Sequence, residues 1–219
     1  METGKRNNHN SIESFCRMKK LPELVFATNN AHKLREVKAI LDGLAIVKSL
    51  AEHNIQTEIP EDGDTLEANA RQKAWFIYNH YGLNCFADDT GLEVDALGGR
   101  PGVYSARYAG EGCNFADNIR KLLGEMKGIT NRRARFRTVV ALIIAGKEYL
   151  FEGRVEGRLL ESEAGAGGFG YDPLFVPDGY DLTFAQMDES VKNAVSHRGE
   201  AMRKMAEFLK VYDQVKNNS

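Results

Sequence analysis

Five short stretches of this chain bring together side chains able to do chemistry. The first is Thr28-Asn29-Asn30-Ala31-His32-Lys33, which follows the apolar run Leu24-Val25-Phe26-Ala27. If a helix opens there, its free N–H groups and dipole favour a phosphate, and Lys33 adds a cation one turn in. A plain strand-to-helix loop with a capping Asn is the other reading, and spacing alone does not separate them. No G-x-x-x-x-G-K-[ST] run is present, so this is not a Walker A loop.

The second stretch is Ala87-Asp88-Asp89-Thr90-Gly91. In extended chain, adjacent side chains point to opposite faces, so Asp88 and Asp89 are expected to do different jobs. Carboxylates at a strand end suit Mg²⁺, which takes one or two protein carboxylates plus phosphate oxygens. The same residues are also ordinary turn formers. The third stretch is Pro60-Glu61-Asp62-Gly63-Asp64, just ahead of a helical pattern. Asp64 is expected to cap that helix, which leaves Glu61 and Asp62 free for a metal or merely to complement the dipole.

The fourth stretch, Gly165 to Pro173, matches G-x-G-x-x-G in letters only. A dinucleotide fingerprint must open a helix, and Tyr171-Asp172-Pro173 stops one. The better reading is a loop bearing aromatic groups, Phe169 and Tyr171, and a carboxylate, Asp172; packing of both rings in the core is the alternative. The fifth is Lys192 with Ser196-His197-Arg198-Gly199, where basic groups at a helix start can bind an anion or donate to carbonyl oxygens. Arg132, Arg133, Arg135 and Arg137 form a further basic run, read as a solvated hairpin edge, with RNA contact as the alternative. A phosphate loop, paired carboxylates, an aromatic loop and base-edge donors together describe a nucleotide phosphohydrolase.

These groups need elements to hold them. Leu24 to Thr28 reads as a buried strand, and residues 32–42 as a helix whose Leu34, Val37, Ile40 and Leu41 share a face. Ala45 to Leu50 suggests a second strand. Asp64-Thr65-Leu66-Glu67 resembles a capping box, opening a helix striped by Leu66, Ala70, Ala74, Ile77 and Tyr81 and closed by Gly82. Cys85-Phe86-Ala87 leads a strand into the aspartates. Asn114 caps a helix running to Met126, with Phe115, Ile119, Leu122 and Met126 on its face. Residues 134–160 read as a long hairpin, and a last helix runs from about Ser196 to Tyr212. Interleaved strands and helices with a hairpin give an α/β or α+β fold with a mixed sheet. Of the 21 glycines, 12 lie between Gly98 and Gly112 or between Gly153 and Gly179, which predicts loops of close backbone approach or positive φ.

Composition bounds the answer. At 219 residues, with 42% hydrophobic and 27% charged side chains, the chain can bury a core without staples. Lys and Arg number 29 against 31 Asp and Glu, so no general nucleic-acid binder is indicated. The cysteines, Cys16, Cys85 and Cys113, form no C-x-x-C pair and suggest a reducing compartment. The longest apolar run, Val139 to Ala145, is far short of the roughly 20 residues of a membrane span. A cytoplasmic location is expected. Residues 1–18 are polar and aperiodic and read as a disordered extension, with residues 19–215 as one catalytic domain.

From Leu24 to Leu209 the chain resembles the inosine/xanthosine triphosphate pyrophosphatase family, which clears deaminated purine nucleotides. The resemblance rests on Thr28-x-Asn30-x-x-Lys33, Glu67-Ala-Asn-Ala70, Ala87-Asp-Asp-Thr-Gly-Leu92, Gly98-Gly-Arg-Pro-Gly-Val-Tyr-Ser-Ala-Arg-Tyr108, Gly167-Gly-Phe-Gly-Tyr-Asp-Pro173 and Ser196-His-Arg-Gly199, in that order. It implies an elongated two-lobed fold with a mixed sheet and central cleft, a homodimer, Mg²⁺, and hydrolysis of a nucleoside triphosphate to monophosphate and pyrophosphate. It implies that Asp89 is the general base and, with Glu61, a metal carboxylate. It implies that Thr28, Asn29, Asn30, Ala31, His32 and Lys33 hold phosphate, with Lys73 nearby and Thr90 touching substrate. Phe169, Gly170, Tyr171, Asp172, Lys192, His197 and Arg198 match base-binding positions. Asn29 stands where the family commonly has Gly, and His32 is atypical. The alternatives are a pyrophosphatase for another modified nucleotide and a nucleotide-binding module without turnover.

Overall fold

The computed structural model describes residues 21–112 and 114–217. The extension expected over residues 1–18 lies outside the described residues. The rest of the chain is built on one mixed sheet in the order β2-β1-β3-β5-β6-β7. Strands β1 (Glu23–Phe26), β2 (Ile46–Ser49) and β3 (Cys85–Val94) are parallel; β4 (Pro101–Gly102), β5 (Arg133–Ile144), β6 (Lys147–Leu159) and β7 (Phe175–Pro177) join antiparallel. The helices are α1 (Ala31–Ile40), α2 (Leu66–Tyr81), α3 (Phe115–Glu125), α4 (Glu189–Val195) and α5 (His197–Asn217).

The hairpin spans residues 133–159, within a residue of the 134–160 read from sequence. Its turn is the two residues Ala145 and Gly146, with φ of 51° and 74°. Positive φ at both central positions is the primed geometry whose twist matches the strands, so pairing continues right up to the turn. Strand β7 and helix α4 are too short to leave a periodic pattern in sequence.

Side-chain alternation assigns the faces. Leu24, Phe26, Phe86, Val140 and Leu142 turn toward α1 and α5, where they meet Val37, Leu41, Met202, Met205 and Leu209. Val25, Ala27, Cys85, Ala87, Val139 and Ala141 turn the other way, toward Leu66, Ala70, Ala74 and Ile77 of α2. A third cluster, around Leu92, Val94, Ile119, Leu122, Phe136 and Phe175, fills the far half of the long strands. Two predicted face residues leave their stripes: Tyr81 is 39% and Phe115 40% exposed.

The glycines of β6 correct one expectation. Gly153 and Gly157 lie inside a strand, not a loop. A Cβ on Gly153 would sit 2.0 Å from the His197 carbonyl oxygen, so its absence lets the first turn of α5 lie directly on the strand. Close approach is what the residue provides there.

Candidate active site

Strand order fixes where a site can form. From β1 the chain passes through α1 to β2 on one side, then through α2 to β3 on the other. The crevice beyond the carboxyl end of β1, where β3 runs on past its pairing with β1 at Cys85 and Phe86, is therefore a switch point, the usual place for a ligand in such sheets. A cavity of about 520 Å³ opens there. Thr28, Lys33, Glu61, Lys73, Asp89, Phe169, Asp172, Lys192, His197 and Arg198 all line it. Asn29, Asn30, Thr90, Gly170 and Tyr171 line it too, whereas Ala31 and His32 do not.

One wall is the loop between β1 and α1. Asn30 caps α1, its Oδ1 accepting from the amides of His32 (2.9 Å) and Lys33 (3.1 Å). Thr28 Oγ1 accepts from the Asn30 amide at 3.2 Å. The capping reading and the phosphate reading are therefore compatible: the cap holds the loop while Thr28, Asn29, Asn30 and Lys33 face the cavity. His32 turns away from that wall and stacks on Phe169, ring centroids 5.3 Å apart.

The aspartates do point to opposite faces. Asp88 lies on the α1/α5 side, 1% exposed, and accepts from Lys33 Nζ and Arg198 Nε, each at 3.0 Å. Burial alone would raise its pKa, but Lys33 and Arg198 outweigh that and hold the carboxyl well below its usual range. Asp89 lies on the α2 side, 8% exposed. It accepts from Asn69 Nδ2 at 3.0 Å, and Lys73 Nζ stands 3.7 Å from its other oxygen. Here burial wins over Lys73, and the pKa is raised.

Lys73 also meets Glu61 directly, so one ammonium sits between two carboxylates, Glu61 and Asp89. Burial lowers the pKa of Lys73, but Asp89 and Glu61 more than restore it. The neighbouring acidic residues are spent differently from expectation. Thr65, not Asp64, caps α2, accepting from the Ala68 amide at 3.1 Å. Glu67 does not close a capping box but binds Arg137 at 2.8 Å. Asp62 is held by Gln72, 2.6 Å away.

A further wall is the Phe169 loop. Asp172 Oδ2 accepts from the Phe169 amide and from Lys192 Nζ, both at 2.8 Å. Gly168, at φ +70°, leaves room for that carboxylate, since a Cβ there would fall 2.2 Å from Asp172 Oδ2. Lys192 lies 4.9 Å and the Arg198 guanidinium 5.6 Å from the Phe169 ring centre. Tyr171 is the core residue of the pair, 4% exposed, with its hydroxyl donating to the Ser105 carbonyl at 3.0 Å. Phe169 is half-buried and faces the cavity together with Phe115.

His197 stacks on Phe136 at 4.6 Å, and its buried Nδ1 has no hydrogen-bond partner among the described residues. Burial, with Arg198 and Lys192 nearby, holds its pKa well below 6.5, so the imidazole is neutral at pH 7. A neutral ring donates from one nitrogen and accepts at the other.

Glu36 escaped the sequence reading. It is 6% exposed in the middle of α1 and accepts from Lys192 (2.7 Å) and Arg198 (2.5 Å). The result is an unbroken series of alternating charge, buried from Asp88 onward: Lys33, Asp88, Arg198, Glu36, Lys192, Asp172. The available signal was a lone acid two residues past Leu34 and next to Val37, on the apolar side of its helix.

The basic run is also accounted for. Arg133 pairs with Asp178, Arg135 with Glu93, and Arg137 with Glu67, Glu93 and Glu152. Arg132 donates to the carbonyls of Met126, Leu159 and Leu160. No helix of the described residues is long and apolar enough to cross a membrane.

The model of the Ham1 family matches residues 24–208, which takes in every wall of this cavity. The chain belongs to the Ham1 family. Among Ham1 relatives, the dITP/XTP pyrophosphatase of Porphyromonas gingivalis is 50% identical over 190 residues, covering 86% of this chain and 98% of the relative. That of Christiangramia forsetii is 50% identical over 187 residues, covering 85% and 98%. The Ham1 protein structure from Staphylococcus aureus superposes with a TM-score of 0.79 at 37% identity, covering 87% of this chain and 99% of that one. The HAM1 protein of Coxiella burnetii gives 0.80 at 35% identity, with the same coverage. The mixed-sheet Ham1 fold expected from the resemblance is thus the fold of this chain.

Proposed function

We propose that this protein is a nucleoside-triphosphate pyrophosphatase that hydrolyses deaminated purine nucleotides, dITP or ITP and XTP or dXTP, to the monophosphate and pyrophosphate. The observation that carries the reading is the placement of Asp89. It lines the same cavity as the Thr28–Lys33 loop, which suits phosphate, and the Phe169 loop, which suits an aromatic base. The names of the half-identical relatives supply the substrate class.

Each residue has a task that its surroundings suit. Lys33 and the capped loop of Thr28 to Asn30 bind the triphosphate and offset the charge that develops on the leaving pyrophosphate. Asp89, close to the cavity and short of full ion pairing, takes the proton from the attacking water. Phe169 offers a face to the base, while His197 and Arg198 meet its edge and Thr90 joins them from β3.

Glu61 and Asp89 would hold a divalent cation, Mg²⁺ by the preference for carboxylate and phosphate oxygens. The pair fits such an ion: both carboxylates converge on a single positive centre, the Lys73 ammonium. When bound, the ion neutralises phosphate charge and makes water easier to deprotonate. A homodimer, which the family resemblance implies, and a cytoplasmic location, expected from the composition, belong to the same proposal; light scattering reads the first.

A substrate panel tests the function. Inosine and xanthosine triphosphates are expected to be cleaved with pyrophosphate release far faster than ATP and GTP. Binding of nucleotide without pyrophosphate release would support a non-catalytic module instead.

A further inference from the structure

We propose that Asn69 is a positioning residue that fixes the spacing between Glu61 and Asp89, and so sets the affinity of the cation site; the inference rests on the cation reading above. Asn69 does not line the cavity, so it would act through its neighbours. It is 1% exposed, on α2 between the Thr65 cap and Lys73. Asn is a poor residue for a helix interior, which calls for a compensating use of its side chain.

That use is double. Nδ2 donates to Asp89 Oδ2 at 3.0 Å, and Oδ1 accepts from the Gly63 amide at 2.8 Å. Turning the amide over would set oxygen against carboxylate and NH₂ against N–H, losing both bonds, so these partners fix its orientation. Two consequences follow. Asp89 Oδ2 is turned to Asn69, which sets Oδ1 on the side of Lys73, 3.7 Å away. Gly63, pinned to α2, carries the segment in which Glu61 stands two residues earlier. One amide therefore holds one carboxylate by hydrogen bond and the other through its loop.

Gly63 has no space to spare. A Cβ there would lie 2.8 Å from Asn69 Oδ1 and 2.8 Å from the Ala68 Cβ. Its φ is not in the left-handed region, so alanine is resisted by the contact with Asn69 and Ala68 and not by backbone conformation. Gly63→Ala thus loosens the same clamp from the other side.

The experiment is Mn²⁺ uptake by the full chain without nucleotide, read by the electron paramagnetic resonance of free Mn²⁺, with nucleotide kinetics alongside. Asn69→Ala removes both bonds while favouring the helix. Its Mn²⁺ dissociation constant is expected to rise about tenfold or more, the effect of losing a hydrogen bond to a charged group. Turnover should fall with KM for nucleotide little changed. Gly63→Ala should weaken Mn²⁺ uptake in the same way. The double variant should lose less than the two singles together, because the added methyl group no longer meets the Asn69 amide. A folded Asn69→Ala with wild-type Mn²⁺ affinity overturns the inference, as does simple additivity. If Asn69→Ala does not fold, Gly63→Ala decides alone: weakened uptake supports the clamp, unchanged uptake overturns it. No Mn²⁺ uptake by the wild type, or uptake unaffected by Glu61→Gln, overturns the cation reading and this inference with it. Uptake weakened by Glu61→Gln but not by Asn69→Ala overturns this inference alone.

Discussion

Lys33 donates to Asp88 at 3.0 Å, so the cation offered to phosphate is already held by a buried carboxylate that does not belong to the proposed catalytic pair. Asp88 and Asp89 are neighbours in sequence and turn to opposite faces of β3. Asp88 neutralises Lys33 and Arg198, and deleting its charge leaves both cations buried without it. Removing one partner of a buried pair costs about 3–5 kcal/mol. Asp88→Asn is therefore expected to lower stability by about 3 kcal/mol in chemical denaturation. Asp89 is different: burial raises its pKa, so the ionised form weakens the fold at neutral pH. Asp89→Asn should melt no lower than wild type while turnover drops at least about 10²-fold. Equal melting losses in the two variants would remove this division of labour.

Glu36 gives a pH signature. Burial opposes its ionisation, but Arg198 and Lys192 prevail and its pKa falls below 4.5. A carboxylate whose folded pKa is lowered stabilises the fold above its unfolded pKa, and that contribution is lost as pH falls through the folded value. The melting difference between wild type and Glu36→Gln should be widest near neutrality, where it reflects about 3 kcal/mol. It should shrink as pH drops below 4.5. Calorimetry from pH 3 to 7 reads this directly, and a gap independent of pH would place the cost in packing and not in charge.

Much of this arrangement was legible in the residues, for identifiable reasons. Opposite faces for Asp88 and Asp89 follow from strand alternation, and capping by Asn30 from its place before an amphipathic run. What sequence could not carry was partnership across the fold. Asp64 and Thr65 are both good caps, and only the path of the chain selects Thr65. Glu36 and Lys192 are 156 positions apart, and no local pattern pairs them. Phe115 belongs to its helix by period, yet tilts against Phe169 because the cavity opens beside it. Gly153 reads as a loop residue until α5 is seen lying against it.

The cation makes its own prediction. Glu61 is the more exposed of the two carboxylates, its side chain 41% accessible, and its contact is Lys73. Glu61→Gln keeps size and removes charge, so the Mg²⁺ concentration for half-maximal activity should rise about tenfold, with maximal turnover recovered when Mg²⁺ is raised. Chelator should abolish wild-type activity. Activity that persists undiminished in chelator would refute the metal reading.

Base choice turns on donors that remain unspent. Arg198 gives Nε to Asp88, one Nη1 hydrogen to Glu36 and one Nη2 hydrogen to Thr90 at 3.2 Å. A guanidinium has five N–H donors, so its outer edge keeps hydrogens for a ligand and can never accept. Hypoxanthine and xanthine present a carbonyl at position 6, which accepts; adenine presents an amino group, which donates. Arg198 can thus discriminate where neutral His197 cannot, because an imidazole can exchange tautomers and meet either group. Arg198→Lys keeps the charge against Asp88 and Glu36 but loses the planar fork. The ratio of kcat/KM for inosine triphosphate over ATP should narrow by about tenfold or more, the value of a hydrogen bond from a charged donor. His197→Ala should lower both substrates by a similar factor and leave the ratio in place. The two ratios, measured side by side at saturating Mg²⁺, separate the residues: if Arg198→Lys lowers both substrates equally, its guanidinium holds Asp88 and Glu36 in position and selection of the base lies elsewhere on the cavity wall.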